Sequence, residues 1–299
     1  MTMVRIGIDL GGTKTEIIAL DAQGSQLLRR RVASPQGDYA ATLDMIATLV
    51  REAEAQLGAR ASVGIGTPGA ISPASGLLRN SNSTWLNGRP LLHDLVHRLG
   101  REVRIENDAN CFALSEAVDG AGAGCRVVFG VILGTGVGGG IVVDGRLLSG
   151  PNRIAGEWGH NPLPWPLREE RPGAACYCGR SGCIETFLSG PGLARDHFAV
   201  TGVLLDPPEI VEAAAGGELC SLASVERYEQ RLARALAHVI NILDPDAIVL
   251  GGGLSRVDRW YQTVPRLWGE WVFCDRVDTP LLRNAHGDSS GVRGAAWLG

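Results

Sequence analysis

The feature that most constrains this chain is a glycine hairpin that occurs twice. Near its start, Arg5-Ile-Gly-Ile-Asp9-Leu-Gly11-Gly12-Thr13-Lys14-Thr-Glu-Ile-Ile-Ala-Leu20 reads as a strand, a tight turn and a second strand. Asp21-Ala-Gln-Gly24 is a further turn leading into another strand. The pattern returns at Val127-Val-Phe-Gly-Val-Ile-Leu133-Gly134-Thr135-Gly136-Val-Gly138-Gly139-Gly140-Ile-Val-Val-Asp144-Gly145. Two copies of one unit predict two related half-domains, and 299 residues are enough for both to have a core.

The second copy contains Gly134-x-Gly136-x-x-Gly139, which matches the dinucleotide fingerprint in spelling only. That fingerprint needs a helix straight after the glycines, so that pyrophosphate meets the helix N-terminus. Here Ile-Val-Val-Asp-Gly follows, a β-branched run and a turn, which excludes a Rossmann site. No Gly-x-x-x-x-Gly-Lys-Ser/Thr run exists either. A glycine hairpin still holds phosphate in another way, because missing Cβ atoms let successive N–H groups approach the oxygens. Thr13 and Thr135 add hydroxyl donors, and Lys14, the only lysine in the chain, lies in the first hairpin. The plainer reading of one such hairpin is a tight β-turn. A third signal favours the phosphate reading of the pair. Ser221 to Leu243 has helical apolar spacing at Leu222, Val225, Leu232, Leu236, Val239 and Leu243, stopped by Asp244-Pro245-Asp246. A buried strand Ala-Ile-Val-Leu250 then ends in Gly251-Gly252-Gly253, where a flat base or ribose can pack on the backbone.

Composition excludes several classes. The net charge is −4 with no basic run, which argues against a nucleic-acid surface. MTMVRIGIDL reads directly as a strand, and no apolar run reaches ~18 residues, so a soluble cytoplasmic protein is expected. Of seven cysteines, Cys111, Cys125, Cys220 and Cys274 lie apart, as buried small hydrophobes do. The other three fall together in Cys176-Tyr-Cys178-Gly-Arg-Ser-Gly-Cys183. A redox pair, a disulfide and a metal site are all compatible with that cluster at first sight.

These pieces together resemble the ROK family of sugar kinases and repressors, within the actin/Hsp70-like ATPases. The resemblance covers nearly the whole chain. It rests on Asp9-Leu-Gly-Gly-Thr-Lys14, Glu106-Asn107-Asp108-Ala-Asn110, Glu157-Trp-Gly-His160 and Cys-x-Cys-Gly-x-x-Gly-Cys-x-Glu, in family order. The spacing from Gly136-x-Gly138 through Gly150 and Gly156 to Gly159-His160 also follows the family signature. Asn82-Ser-Thr-Trp-Leu-Asn-Gly88, Gly159–Trp165 and His286–Trp297 look closest to bacterial fructokinases of the mannofructokinase type. The resemblance implies an α/β fold of two RNase H-like lobes, with ATP and sugar in the cleft between them. The lobes would be 1–118 plus 285–299, and 119–284. The apolar tail Gly291–Leu298 would pack back on the first lobe, which also gains an amphipathic helix over Ala41–Leu57 with Leu43, Ile46, Val50 and Leu57 on one stripe. A homodimer is implied as well.

Phosphoryl transfer needs a phosphate clamp, a divalent ion, an oriented hydroxyl and a base. The resemblance gives the clamp to Gly11, Gly12, Thr13, Lys14, Gly134, Thr135 and Gly136, and the adenosine to Gly251, Gly252 and Gly253. Asp9, at a strand end, would hold Mg²⁺ through water, since Mg²⁺ keeps much of its hydration. Asp108 would be the base, at the end of a strand over Val103–Asn107, and Asn107 would meet vicinal sugar hydroxyls. Read without the family, Asn107-Asp108 is equally an N-cap for a helix over Ala109–Val118. Asn82, Glu157, His160 and Glu185 complete the sugar ligands that the resemblance implies. For the cysteines, no thioredoxin-like pattern supports a redox pair, and a disulfide would leave one thiol over. Three thiolates and a histidine suit tetrahedral Zn²⁺, with His160 as the fourth ligand. Cys-x-Cys is tighter than the usual knuckle, so spacing alone is incomplete here; the family pattern matches His160, Cys176, Cys178 and Cys183. Gly179 and Gly182 permit the turns that wrap the ion. The zinc would be structural and would align His160, whose second nitrogen would then donate to the sugar. Loop 161–175 departs from the shorter versions of the family.

The expected reaction is ATP-dependent phosphorylation of D-fructose at its 6-hydroxyl, with mannose or glucose slower. Glucokinase, mannokinase and N-acetylhexosamine kinase are the alternatives, although no stretch announces a pocket for an N-acetyl group. A repressor is disfavoured because a strand begins by residue 4 and leaves no room for a helix-turn-helix. An actin-like filament protein is disfavoured by the cysteine cluster and the two sugar-facing carboxylates.

Overall fold

The structure, a computed structural model, describes residues 4–299. The first glycine hairpin is Val4–Leu10 (β1) paired antiparallel with Lys14–Leu20 (β2), and Gln26–Ala33 (β3) continues the meander. Helix α1, Tyr39–Leu57, starts where Asp38 accepts the Ala41 N–H at 2.9 Å and stops at Gly58, whose φ of 62° reverses the chain. Leu43, Ile46 and Val50 of its predicted stripe are buried, whereas Leu57 at its end is half-buried. Next come Ala61–Thr67 (β4), the short strands Ala70–Ile71 (β5) and Leu78–Arg79 (β6), Leu91–Leu99 (α2), Arg104–Asn107 (β7) and Asp108–Val118 (α3). The sheet order is β3-β2-β1-β4-β7, with β1, β4 and β7 parallel, while β5 and β6 pair separately.

The second hairpin repeats this plan. Val127–Leu133 (β8), Val137–Val143 (β9) and Arg146–Leu147 (β10) form the meander. The chain then runs through Ile184–Leu188 (α4), Gly190–Thr201 (α5), Pro207–Ala215 (α6) and Leu219–Leu243 (α7). Ala247–Gly251 (β11), Arg259–Leu267 (α8), Leu281–Arg283 (β12) and Ser290–Trp297 (α9) follow. The order is β10-β9-β8-β11-β12, with β8, β11 and β12 parallel. Strand for strand, both sheets place a three-stranded meander beside two parallel crossovers. The sequence repeat is thus a repeat of topology.

The chain forms two compact units. One comprises residues 4–124, 140–155 and 285–299, and the other 125–139 and 156–284. In the first, α9 packs on β1, β4 and α3. That approach is backbone to backbone. A Cβ on Gly294 would stand 1.6 Å from the Cys111 carbonyl oxygen, and one on Gly7 would stand 2.1 Å from that of Val292. In the second, α7 runs from an N-cap at Glu218 to Asp244, a left-handed residue at φ 45°. Val225, Leu232 and Leu236 are buried along it, whereas Leu222, Val239 and Leu243 are half-buried. Among the described residues no helix is long and apolar enough to cross a membrane.

Candidate functional site

In the first unit the strand ends carry the acidic groups. Asp9 is the penultimate residue of β1, level with Glu16 on β2 and Gly66 on β4. Burial, together with the Asp108 and Glu16 carboxylates, pushes Asp9 up from 3.8 to about 6; Arg31 works the other way. A carboxyl so crowded is a group that a divalent cation stabilises in its charged form. Glu16 itself is buried and held by Arg29 at 2.5 Å and by Arg31.

Asn107 ends β7 and caps α3. Its Oδ1 accepts the Ala109 N–H at 2.8 Å, and its Nδ2 donates to the Gly69 carbonyl at 3.2 Å. Asp108 is the first residue of α3, and its Oδ1 accepts the same N–H at 2.9 Å. The cap is thus resolved between the two neighbours. Asn107 is the cap, and Asp108 lies in the first helical turn, where the helix dipole favours a carboxylate.

Gly11, Gly12 and Thr13 make the turn between β1 and β2, and Lys14 is exposed at the start of β2. Ser83 Oγ lies 3.1 Å from where a Cβ on Gly12 would stand, and it is buried with no hydrogen-bond partner among the described residues. An orphaned hydroxyl against a glycine turn fits a phosphate oxygen, and the sequence gives no sign of it because Ser83 is distant in the chain. Asn82 is exposed beside it.

In the second unit the Gly134-Thr135-Gly136 turn is tied to the helices behind it. The Gly190 N–H at the head of α5 donates to the Gly134 carbonyl at 2.8 Å, and Glu185 Oε2 accepts the Val137 N–H at 3.0 Å. A Cβ on Gly136 would stand 2.6 Å from that oxygen, so glycine here admits Glu185 to the hairpin. Trp158 Nε1 donates to the Gly138 carbonyl at 3.0 Å, fixing the turn that carries Glu157 and His160. Gly251 ends β11, Gly252 takes φ 82°, and Gly253 faces open space on its Cβ side.

The structure brings His160, Cys176, Cys178 and Cys183 together, with one donor atom of each within 4.8 Å of the others. Cys176 Sγ is 3.5 Å from His160 Nδ1, and Cys178 Sγ is 3.6 Å from Cys183 Sγ. Tetrahedral Zn–S bonds of about 2.3 Å give S···S edges of about 3.8 Å, so the donor set fits zinc in kind and in size. All the cysteines are free thiols, and of the four that lie apart in sequence only Cys111 is buried; Cys125 is half-buried and Cys220 and Cys274 are exposed, which corrects the expectation of four buried hydrophobes. The Arg180 N–H lowers Cys178 to about 6, while burial pushes Cys183 up to about 12 and also raises Cys176. Gly179 and Gly182 take φ 86° and 71° at the two turns of the wrap.

Two features here were not read from sequence. Loop 161–175 is pinned by Glu170, which is buried. It accepts from Arg231 Nε at 2.9 Å and from Arg234 Nη2 at 2.7 Å. Burial opposes its charge, but the two guanidinia outweigh burial and hold Glu170 at about 2. Arg234 also donates to the Trp165 carbonyl at 2.6 Å. The second feature is Tyr177. Its hydroxyl lies 2.9 Å from His160 Nε2, the nitrogen expected to face a sugar, and the two rings are perpendicular with centroids 5.0 Å apart. Loss of water around the hydroxyl, with the nearby Glu185 and Glu157 carboxylates, pushes the phenol up to about 12.

Paired sheets of this order, acidic strand ends and two glycine turns define a hexokinase-like ATPase fold. The chain belongs to the ROK family, whose pattern matches residues 5–299. It is 43% identical over 298 residues to an N-acetyl-D-glucosamine kinase of Pectobacterium atrosepticum, covering 98% of this chain and 97% of the relative. Its fold matches a ROK hexokinase from Thermus thermophilus with a TM-score of 0.87 and 30% identity, over 98% of this chain and 97% of that one. It also matches a ROK family glucokinase from Streptomyces griseus, solved with glucose and AMPPNP, with a TM-score of 0.76 and 28% identity over 99% and 98%.

These relatives overturn the expectation of D-fructose. Relatives at 40–43% identity over almost the full chain are named N-acetyl-D-glucosamine kinases. The physical reason is that the motifs consist of glycine turns, strand-end acids and a thiol cluster. None of them reports the substituent at sugar carbon 2.

Proposed function

We propose that the protein is an ATP-dependent sugar kinase acting on N-acetyl-D-glucosamine. The observation that carries the sugar is the near full-length likeness to kinases named for it. Asp9 and Asp108 at the ends of β1 and β7 support the chemistry.

Asp108 accepts the proton of the sugar's primary hydroxyl as that oxygen attacks the γ-phosphorus. The bond from γ-phosphorus to the bridging oxygen breaks, ADP leaves, and the proton stays on the carboxyl until solvent takes it. In the first unit the N–H groups of the Gly11–Thr13 turn, with Ser83 Oγ, are suited to phosphate oxygens, and in the second unit the Gly134–Gly136 turn offers N–H groups of the same kind. Asp9 would hold the Mg²⁺ that neutralises phosphate charge. His160, Cys176, Cys178 and Cys183 would hold a structural zinc that fixes the Glu157–His160 turn. Glu157 and Glu185 accept from sugar hydroxyls.

The test is a panel of N-acetylglucosamine, glucose, mannose and fructose under identical Mg-ATP, following ADP release. Highest kcat/KM for N-acetylglucosamine is the expected result. Preference for another hexose overturns the sugar, and no ADP release with any of them overturns the kinase.

A further inference from the structure

We propose that Asn87 is a positioning residue for phosphoryl transfer. Its amide clasps the backbone of Ser81 and so holds Ser83 Oγ at the Gly11–Thr13 turn, where a phosphate oxygen would accept from it; this rests on the kinase reading above. The argument starts from Ser83. It precedes one turn of 3₁₀ helix, Thr84–Leu86, the position at which a serine hydroxyl ordinarily caps a backbone N–H. Here no such bond forms. Ser83 is 1% exposed, its Oγ has no partner among the described residues, and a Cβ on Gly12 would stand 3.1 Å from it. A buried hydroxyl without a partner is costly, and a loose loop would relax until it found one. Something must therefore hold this loop in place.

Asn87 supplies the restraint. It follows the same turn, and its backbone N–H donates to the Thr84 carbonyl at 3.1 Å. Its side chain then folds back six positions along the chain. Oδ1 accepts the Ser81 N–H at 2.9 Å, and Nδ2 donates to the Ser81 carbonyl at 2.8 Å. One amide thus meets both backbone groups of one residue, as a paired strand would. Ser81 passes the restraint on, because its Oγ accepts the Ser83 N–H at 3.1 Å. Other contacts hold the rest of the loop. At its base the Gly88 N–H donates to the Leu78 carbonyl at 2.8 Å, and the Leu78 N–H to that of Arg89 at 3.0 Å. In its second half Leu86 is buried in the core, and Trp85 Nε1 donates to Thr42 Oγ1 at 3.3 Å. The stretch from Ser81 to Ser83 is the part left to the Asn87 amide. Asn87 is itself exposed, so it adds no apolar burial, and what it contributes is the geometry of that stretch.

The experiment is a double-mutant cycle of Asn87→Ala, Ser83→Ala and the two combined. It reads kcat/KM for Mg-ATP with the preferred hexose saturating, sugar binding by calorimetry without nucleotide, and Tm. Ser83→Ala should lose about 10- to 100-fold in kcat/KM for ATP, the worth of one hydrogen bond to a charged group. Asn87→Ala should lose about tenfold, because the hydroxyl stays but drifts. The double variant should match Ser83→Ala, since Asn87 acts through that hydroxyl. Sugar binding and Tm should stay near wild type. Losses that multiply in the double variant would show that Asn87 acts apart from Ser83, and would overturn the proposal. An Asn87→Ala enzyme with unchanged kcat/KM overturns it too, as does one that loses sugar binding alone, through the neighbouring Asn82. Failure of Asn87→Ala to fold would make the residue structural and likewise overturn it. Ser83→Ala at wild-type rates would remove Ser83 from the phosphate reading, and wild-type protein that releases no ADP would sink the kinase. The proposal falls with either, and the arm that fails shows which.

Discussion

Glu185 reaches from α4 to the second glycine turn, accepting the Val137 N–H at 3.0 Å, so one side chain joins the proposed sugar face to the proposed phosphate clamp. Glu185→Ala should therefore weaken sugar and ATP together, each by about tenfold in KM. Glu185→Gln, which keeps a carbonyl acceptor for Val137, should restore the KM for ATP while sugar binding stays weak. Steady-state kinetics on both variants check this, and a glutamine variant that behaves like alanine would refute the shared role.

Asp108→Asn should lower kcat by about 10²- to 10⁴-fold, because an amide cannot take the hydroxyl proton at neutral pH. Asn107 remains as the cap of α3, so the fold and sugar affinity should persist. Turnover near wild type, with sugar binding measured in parallel, would remove Asp108 from the mechanism.

Asp9 gives a pH dependence of stability. Its carboxyl titrates at about 6 in the fold against 3.8 for an ordinary aspartate. Between those values the folded protein holds a proton that the unfolded chain does not, so stability falls as pH rises from about 4 to about 6. A shift of this size costs up to about 3 kcal/mol above pH 6. In magnesium-free buffer Asp9→Asn should melt higher than wild type at pH 8, and the two should converge at pH 4. Equal melting at both ends would show that Asp9 carries no such burden.

Purified protein should hold one zinc per chain. Chelation, or Cys178→Ser, should lower Tm and sugar affinity, since the cluster fixes the turn carrying His160. Elemental analysis without zinc in protein kept from chelators would count against the site.

Gly294→Ala should destabilise the protein by about 3 kcal/mol, because the added methyl would meet the Cys111 carbonyl and force α9 off α3. Denaturant unfolding measures this. A loss below about 1 kcal/mol would mean that the α3–α9 contact yields easily.

What could be read from sequence was local. Both hairpins, the long helix ending at Asp244 and the stripe on α1 follow from periodicity and turn residues within short windows. The thiol cluster was legible because three cysteines lie within eight positions and a motif supplied the histidine. The remainder depends on side chains far apart in sequence. Glu170 is buried only because Arg231 and Arg234, a helix away, neutralise it. Tyr177 sat in plain view between two cysteines, yet its hydroxyl position depends on how the loop wraps His160. Which of Asn107 and Asp108 caps α3 turned on one residue of register. The sugar was misread because the motifs are glycine turns, strand-end acids and thiols, whereas the choice between hexoses rests on a few hydroxyl contacts without a local pattern.

The first unit is assembled from three separate stretches, with α9 seated on β1, β4 and α3. A ribosome delivers those pieces far apart in time. Between residue 124 and residue 285, at the usual 5–20 residues per second, roughly 8 to 30 s of synthesis intervene. Throughout that interval the seam of Gly7 and Cys111 lacks its closing helix, so nascent chains present an unfinished apolar face to chaperones and proteases until the last stretch is translated.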